Sequence, residues 1–379
     1  RRQRQMCIRD SIAWAPSLVS YNLSWEKIRT WNAGVDFGLF NNRLTGSFDY
    51  YIRKTDDMVG PSEKLPVVLG TAVPSSNNTN LKTFGWELEL MWKDRLNNGL
   101  NYSARFTLAD SRTKITRYSN PSGLIDGFYA GKYVGEIWGY ETIGIAQSDQ
   151  EMAEHIGRLI NGGQNNLGQD WKAGDIMYKD LNEDGKIDAG SRTLQDHGDL
   201  KRIGNSTPRY NVGLELAADW KRFDIRMFWQ GTLKRDYFQG SYYFWGANGR
   251  QGPWFSTALK GHDDYFRNDE TSPLGTNLNS YYPRPLFNTD KNQQSQTKYL
   301  QDASYLRLKN LQIGYSLPHN IVQKMGMQNL RIFASGENLF TITSLIDFFD
   351  PESIEGGSWG HGNVYPLSRT FSFGLNVTF

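Results

Sequence analysis

The densest run of potential ligand oxygens is Asp180-Leu181-Asn182-Glu183-Asp184-Gly185-Lys186-Ile187-Asp188. It follows the opening of an EF-hand-type calcium loop, where oxygens at alternate positions face a hard cation. Asp180, Asn182 and Asp184 take positions one, three and five. Gly185 allows the sharp turn, the Lys186 carbonyl takes position seven, and Asp188 takes position nine. Position twelve is Ser191, where such loops normally carry a bidentate Glu, so ligand oxygens and charge are lost. The pattern leads us to expect a structural Ca2+ site of weakened affinity, pinning a long loop. The same residues also build Asx-rich turns that hold no metal.

Other chemical candidates are weaker. Gly356-Gly357-Ser358-Trp359-Gly360, followed by His361, matches the nucleophile-elbow pattern, but an elbow needs a strand before it and a helix after it. This segment reads as a glycine-rich loop. No zinc-protease, paired-cysteine or phosphate-loop motif occurs, so an enzyme is not expected. The aromatics Tyr242, Tyr243, Phe244, Trp245, Trp254 and Phe255 lie in a long connection. There they could stack on a sugar ring, bury against a partner or pack the loop on itself. Tyr242, Trp245 and Trp254 are the candidate ligand contacts.

These residues must be positioned by strands. The 379 residues carry a net charge of +2, too little to call for nucleic acid. The single Cys7 can form no internal disulfide. Mean hydropathy is −0.60, and no apolar run is long enough for a membrane helix. A membrane barrel escapes that test, because its strands alternate apolar and polar residues. The 20 Tyr, 20 Phe and 12 Trp suit the aromatic girdles of such a barrel.

Period-two stripes are clean. They run through Trp31, Ala33, Val35, Phe37 and Leu39; Leu44, Gly46, Phe48, Tyr50 and Ile52; Phe84, Trp86, Leu88, Leu90 and Trp92; and Tyr102, Ala104, Phe106 and Leu108. Later come Tyr210, Val212, Leu214 and Leu216; Phe223, Ile225, Met227 and Trp229; Leu311, Ile313, Tyr315 and Leu317; and Leu330, Ile332, Ala334 and Gly336. The last stripe is Phe371, Phe373, Leu375, Val377 and Phe379, an alternating end of the kind the barrel-assembly machinery recognises. The opposite faces carry Asp49, Arg53, Glu87, Glu89, Arg105, Glu215, Asp224 and Arg226. Residues 149–161 read as a short surface helix capped by Ser148 or Asp149.

The connections alternate. Short ones follow Phe40, Asp94 and Trp220, with a medium one at 318–329; long ones fall at 54–83, 113–208, 233–304 and 341–369. Short periplasmic turns and long extracellular loops give that rhythm, and a secreted carbohydrate-binding β-sandwich has no reason to. The expected fold is an all-β, transmembrane antiparallel barrel in the bacterial outer membrane, in contact with lipid. About nine strands is an odd number, and two open edges in hydrocarbon would cost tens of kcal/mol, roughly, in unpaired backbone groups. The chain is therefore expected to be the C-terminal portion of a larger barrel.

Residues 1–10 carry no apolar signal-peptide core. Met6-Cys7-Ile8-Arg9-Asp10-Ser11 resembles a translated transposon-end sequencing adapter. We expect residues 1–10 to be non-native or disordered and residues 11–379 to be the barrel portion.

Several runs together resemble SusC/RagA-type TonB-dependent transporters of Bacteroidota over nearly all of residues 25–379. They are Trp25-Glu26-Lys27, Leu39-Phe40-Asn41-Asn42-Arg43-Leu44, Asn80-Leu81-Lys82-Thr83-Phe84-Gly85-Trp86-Glu87, Gly174-Asp175 and Leu306-Arg307-Leu308-Lys309-Asn310. The most specific are Ser335-Gly336-Glu337-Asn338-Leu339-Phe340-Thr341, Phe349-Asp350-Pro351-Glu352 and Tyr365-Pro366-Leu367-Ser368-Arg369-Thr370-Phe371. The stretch Leu194–Arg202 departs from the pattern and looks like an insertion. The resemblance implies a roughly 22-stranded barrel with a plugged lumen. It also implies TonB-coupled import of oligosaccharides or peptides, TonB contact through the missing N-terminal region, and a SusD-like lipoprotein partner. A passive porin or an adhesin-type barrel is the alternative.

Overall fold

The computed structural model describes residues 23–60, 74–247, 249, 256, 258–355, 362 and 364–379. Residues 1–10, Trp254 and the Gly356–His361 segment lie outside them.

All nine expected strands form and join in one sheet. They are β1 (Lys27–Leu39), β2 (Leu44–Gly60), β3 (Ser76–Arg95), β4 (Asn101–Arg117), β5 (Arg209–Trp220), β6 (Phe223–Lys234), β7 (Tyr305–Ser316), β8 (Asn329–Thr343) and β9 (Thr370–Thr378). Each pairs antiparallel with its sequence neighbours in this series, and β1 and β9 are the two edges. A β-sandwich needs a second packed sheet, so that alternative is set aside.

Period-two residues do here what the pleat requires. Trp31, Val35, Ile313, Ile332 and Phe373 are all exposed on one face. The other face is concave: Asp49, Glu87, Glu89, Thr107, Asn211 and Gln230 line a shared hollow of about 460 Å³. The polar face is therefore the inside of the curve, and the apolar face is the convex outer wall.

The turns explain two of the sequence runs. In the β1–β2 link Phe40, Asn41 and Asn42 all have positive φ, at 55°, 56° and 61°. Asn tolerates this left-handed region better than most residues. On β8 the Ser335–Thr341 run carries a bulge: Glu337 pairs with Asn310, but Phe340 already pairs with Leu308. Asn338 sits there at φ 52°. A Cβ on Gly336 would meet Leu339 at 2.7 Å, so only glycine lets that side chain fold back.

Strands outrun their stripes at the long-link end. β2 continues to Gly60 and β3 begins at Ser76, so the expected 54–83 loop is in part a hairpin extension. The medium link holds an unexpected helix, His319–Lys324. The expected surface helix is α1 (Asp149–Arg158), and the Ser148 hydroxyl accepts the Glu151 N–H at 3.1 Å.

On the described wall only scattered apolar residues such as Ile115, Val212 and Leu308 are buried, and the large buried cluster lies in the long links. Ile125, Tyr140, Ile176, Tyr178, Ile187, Leu200, Phe244, Tyr299, Phe349 and Ile354 form one buried cluster. Short strand pairs frame it: Glu136–Tyr140 with Leu200–Asn205, Thr142–Ile145 with Ile176–Tyr178, and Asp236–Phe238 with Leu300–Asp302. The links that the sequence presents as loops thus build a folded body at one end of the sheet.

Candidate functional site

Two surfaces are arranged to meet other molecules: the concave wall and the loop body above it. On the wall, cross-strand pairing aligns charges. Arg105 grips Glu89 with two hydrogen bonds at 3.0 and 2.8 Å and lies in register with Glu215. Asp49 faces Glu87, a like-charge pair that costs stability. The wall also carries bidentate pairs, Arg209 on Asp110 towards the loop body and Arg331 on Asp224 near the short-link end.

A buried carboxylate joins two links of the loop body. Asp175, in the Gly174-Asp175 run, is fully buried. It accepts Arg284 Nε and Nη2 at 2.7 and 2.8 Å, Lys291 Nζ at 2.9 Å, Asn292 Nδ2 at 2.9 Å and the Lys172 amide at 2.9 Å. Burial pushes this carboxyl up, but Arg284, Asn292, Lys291 and the Lys172 amide outweigh it and hold it below the usual carboxylate range. Burial also pushes the Lys291 ammonium down, while its contact with Asp175 opposes that. Lys291 spends its remaining donors on the Gln169 and Asp170 carbonyls. The hub ties the 118–208 link to the 235–304 link, which no local pattern announces.

A second clamp ties the last long link to the wall. Arg307 on β7 is buried and binds Asp350 at 2.7 Å and Glu352 at 3.0 Å. Lys309 binds Glu352 at 3.0 Å. The runs Leu306–Asn310 and Phe349–Glu352 are thus two halves of one contact.

The Asp180–Asp188 loop is a tight turn with Gly185 at φ 79°. Its oxygens mostly serve the chain. Asp180 Oδ2 accepts the Gly185 N–H at 2.8 Å, Asp184 Oδ1 accepts the Lys186 N–H at 3.1 Å, and Asp188 Oδ2 accepts Lys186 Nζ at 2.6 Å. Asn182 bonds to Asp184. Ser191 turns away to Asp196. No group of three acidic, His or Cys side chains converges as a metal cage among the described residues. Asp180 Oδ1 is buried without a donor.

Sequence reasoning missed Asp199, which lies in the insertion-like stretch. It is fully buried and accepts the amides of Leu181 at 2.7 Å and Asp188 at 2.9 Å. Burial pushes its carboxyl up and the charge of Asp180 adds to that, while the amides oppose it. Asp199 closes the turn from outside it, where position twelve does not.

Of the aromatic candidates, Trp245 is core rather than exposed surface, at 7 % exposure, with its ring 4.6 Å from Tyr299. It also borders a cavity of about 260 Å³. Tyr242 is half-buried, and its ring lies 4.4 Å from that of Tyr243 in a tilted arrangement. Phe371, Phe373, Leu375, Val377 and Phe379 form an exposed stripe on the outer face of the last strand.

A single curved antiparallel wall, apolar outside and polar inside, with a folded loop body at one end, defines an outer-membrane β-barrel protein. The model of the "TonB dependent receptor-like, beta-barrel" family matches residues 11–339, and the chain belongs to that family of outer-membrane receptors and transporters. It is 29% identical to TonB-dependent receptor P3 of Formosa agariphila, over 94% of this chain and 34% of that protein. It is 26% identical to TonB-dependent receptor SusC of Bacteroides thetaiotaomicron, over 96% of this chain and 33% of that protein. The solved RagAB peptide transporter superposes with a TM-score of 0.66 at 24% identity, over 94% of this chain and 36% of that one. The chain spans about a third of the length of these relatives.

Proposed function

We propose that this chain forms the C-terminal barrel wall and loop body of a TonB-dependent importer of oligosaccharides or peptides. A SusD-like lipoprotein would sit on the loop body, and TonB would act through an N-terminal region. The observation that carries this reading is the pairing of a polar, acid-lined inner wall with a loop body that has its own buried core. A passive pore needs only the first. A folded platform held by the Asp175 and Arg307 clamps suits a surface on which a partner docks and a substrate is handed over. The names of the two relatives, TonB-dependent receptor SusC and the RagAB peptide transporter, support the same class.

The test is uptake by cells carrying the full-length protein, with and without TonB. Import that collapses without TonB supports the reading. Import that continues unchanged makes the protein a passive pore. Co-purification of a lipoprotein encoded beside the gene tests the partner.

The Asp180–Asp188 loop we propose to be a weak structural Ca2+ site in which the Lys186 ammonium competes for Asp188. The donor-free Asp180 Oδ1 supports this. Calorimetric titration checks it, and no heat of binding at millimolar Ca2+ dismisses it.

A further inference from the structure

Cations stand side by side on the outer face of the wall. Antiparallel register places Arg29, Lys54, Lys82 and Lys114 in one row across β1, β2, β3 and β4. Directly paired residues share a face of the sheet. The next row but one in the register is Trp31, Ile52, Phe84 and Arg112, which continues the apolar stripes. The cations therefore lie on the outer face, just beyond those stripes towards the long-link end. Neighbouring strands are about 4.8 Å apart, so the stems of the row span roughly 15 Å.

Like charges directly opposite one another destabilise a sheet, and the chain offsets few of these. Arg29 pairs with Asp56. Lys54, Lys82, Lys114 and Arg112 pair with no carboxylate among the described residues. Asp57 is held by Lys27 and Arg117, and Asp110 by Arg209. Lys114 and Arg112 only lie over the Tyr133 ring, at 5.6 and 4.3 Å.

This face turns to the membrane, so a protein partner would have to displace lipid to reach it. Lipid headgroups are already there. A phosphate monoester carries nearly two negative charges and three acceptor oxygens, so one group can bridge lysines on adjacent strands. We propose that this row binds the phosphate headgroups of anionic lipid in the outer leaflet, with Trp31, Ile52 and Phe84 against the acyl chains. The long lysine stems carry the ammonium groups to headgroup level even where the tilted row runs below it. The proposal rests on the lipid-facing wall and not on what is imported.

The experiment compares spin-labelled phosphatidic acid, a phosphate-monoester lipid, with spin-labelled phosphatidylcholine at the full-length protein in phosphatidylcholine vesicles. Phosphatidic acid should associate preferentially, and less so as salt rises. Lys54→Gln, Lys82→Gln and Lys114→Gln together should lower the preference about fivefold or more. Lys54→Arg, Lys82→Arg and Lys114→Arg together should keep it. Lys82→Gln alone, inside the row, should lower it by a smaller factor. A heat-modifiable gel shift reports on the wall that carries these residues, and so shows that each variant is folded. Equal association of the two lipids overturns the proposal. So does a preference that the Gln changes leave intact, or one that the Arg changes also lose. A preference abolished by millimolar inorganic phosphate assigns the row to a free anion and overturns the lipid reading.

Discussion

The wall and the loop body bury their apolar side chains by opposite means. The wall turns its apolar side chains outward, and Phe373 is 85 % exposed because lipid rather than protein is meant to cover it. The loop body turns its apolar side chains inward, and Phe244 and Tyr178 are fully buried, as in a water-soluble domain. The wall is held chiefly by backbone pairing between sequence neighbours, which is local and repetitive. The loop body is held by contacts between residues more than a hundred positions apart, such as Asp175 with Arg284. One chain therefore carries two stability regimes, and substitutions should separate them.

The largest separation is expected at the hub. Asp175→Ala leaves Lys291 and part of Arg284 as buried, uncompensated charge, and breaking such a cluster costs about 3–5 kcal/mol. The loop body should become sensitive to protease while the wall keeps its heat-modifiable gel shift. Phe244→Ala should act in the same place, at about 3–5 kcal/mol through its cavity. Equal damage to both regions would sink the distinction.

On the wall the signs reverse. Phe373→Arg puts a charge on the lipid face halfway along β9 and, at mid-bilayer depth, should cost about 2–4 kcal/mol, measured by unfolding in lipid vesicles. The loop body should keep its protease resistance.

Acid should loosen the loop body first. The Asp175 carboxyl is lowered by folding. Its contribution is therefore present above the unfolded value near 3.8 and is lost as pH falls from there through the folded value. Hydrogen exchange in the 118–208 and 235–304 links should accelerate below about pH 4. An unchanged rate down to pH 2 argues against the hub.

The smallest effect is expected at the turn. Lys186→Met removes the ammonium from Asp188 and should tighten Ca2+ binding severalfold by calorimetry, with little change in stability. No change in affinity removes the idea of competition.

Much of this contrast is legible in the amino-acid order. Alternation in Thr370–Phe379 and its eight companions specifies strands, the apolar face and the order of pairing, because a pleated strand repeats every two residues and neighbours pair through short turns. The rhythm of the links tells one end of the sheet from the other. The Asp180 turn is also legible, since its hydrogen bonds are local. What only the tertiary structure decides is everything built from distant residues: that the long links share a core, that Trp245 lies inside it, that Asp199 rather than Ser191 closes the turn, and that Arg307 meets Asp350 and Glu352. A periodic pattern records which way a side chain faces. It does not record which distant side chain it meets, because that depends on how separate loops pack together in space.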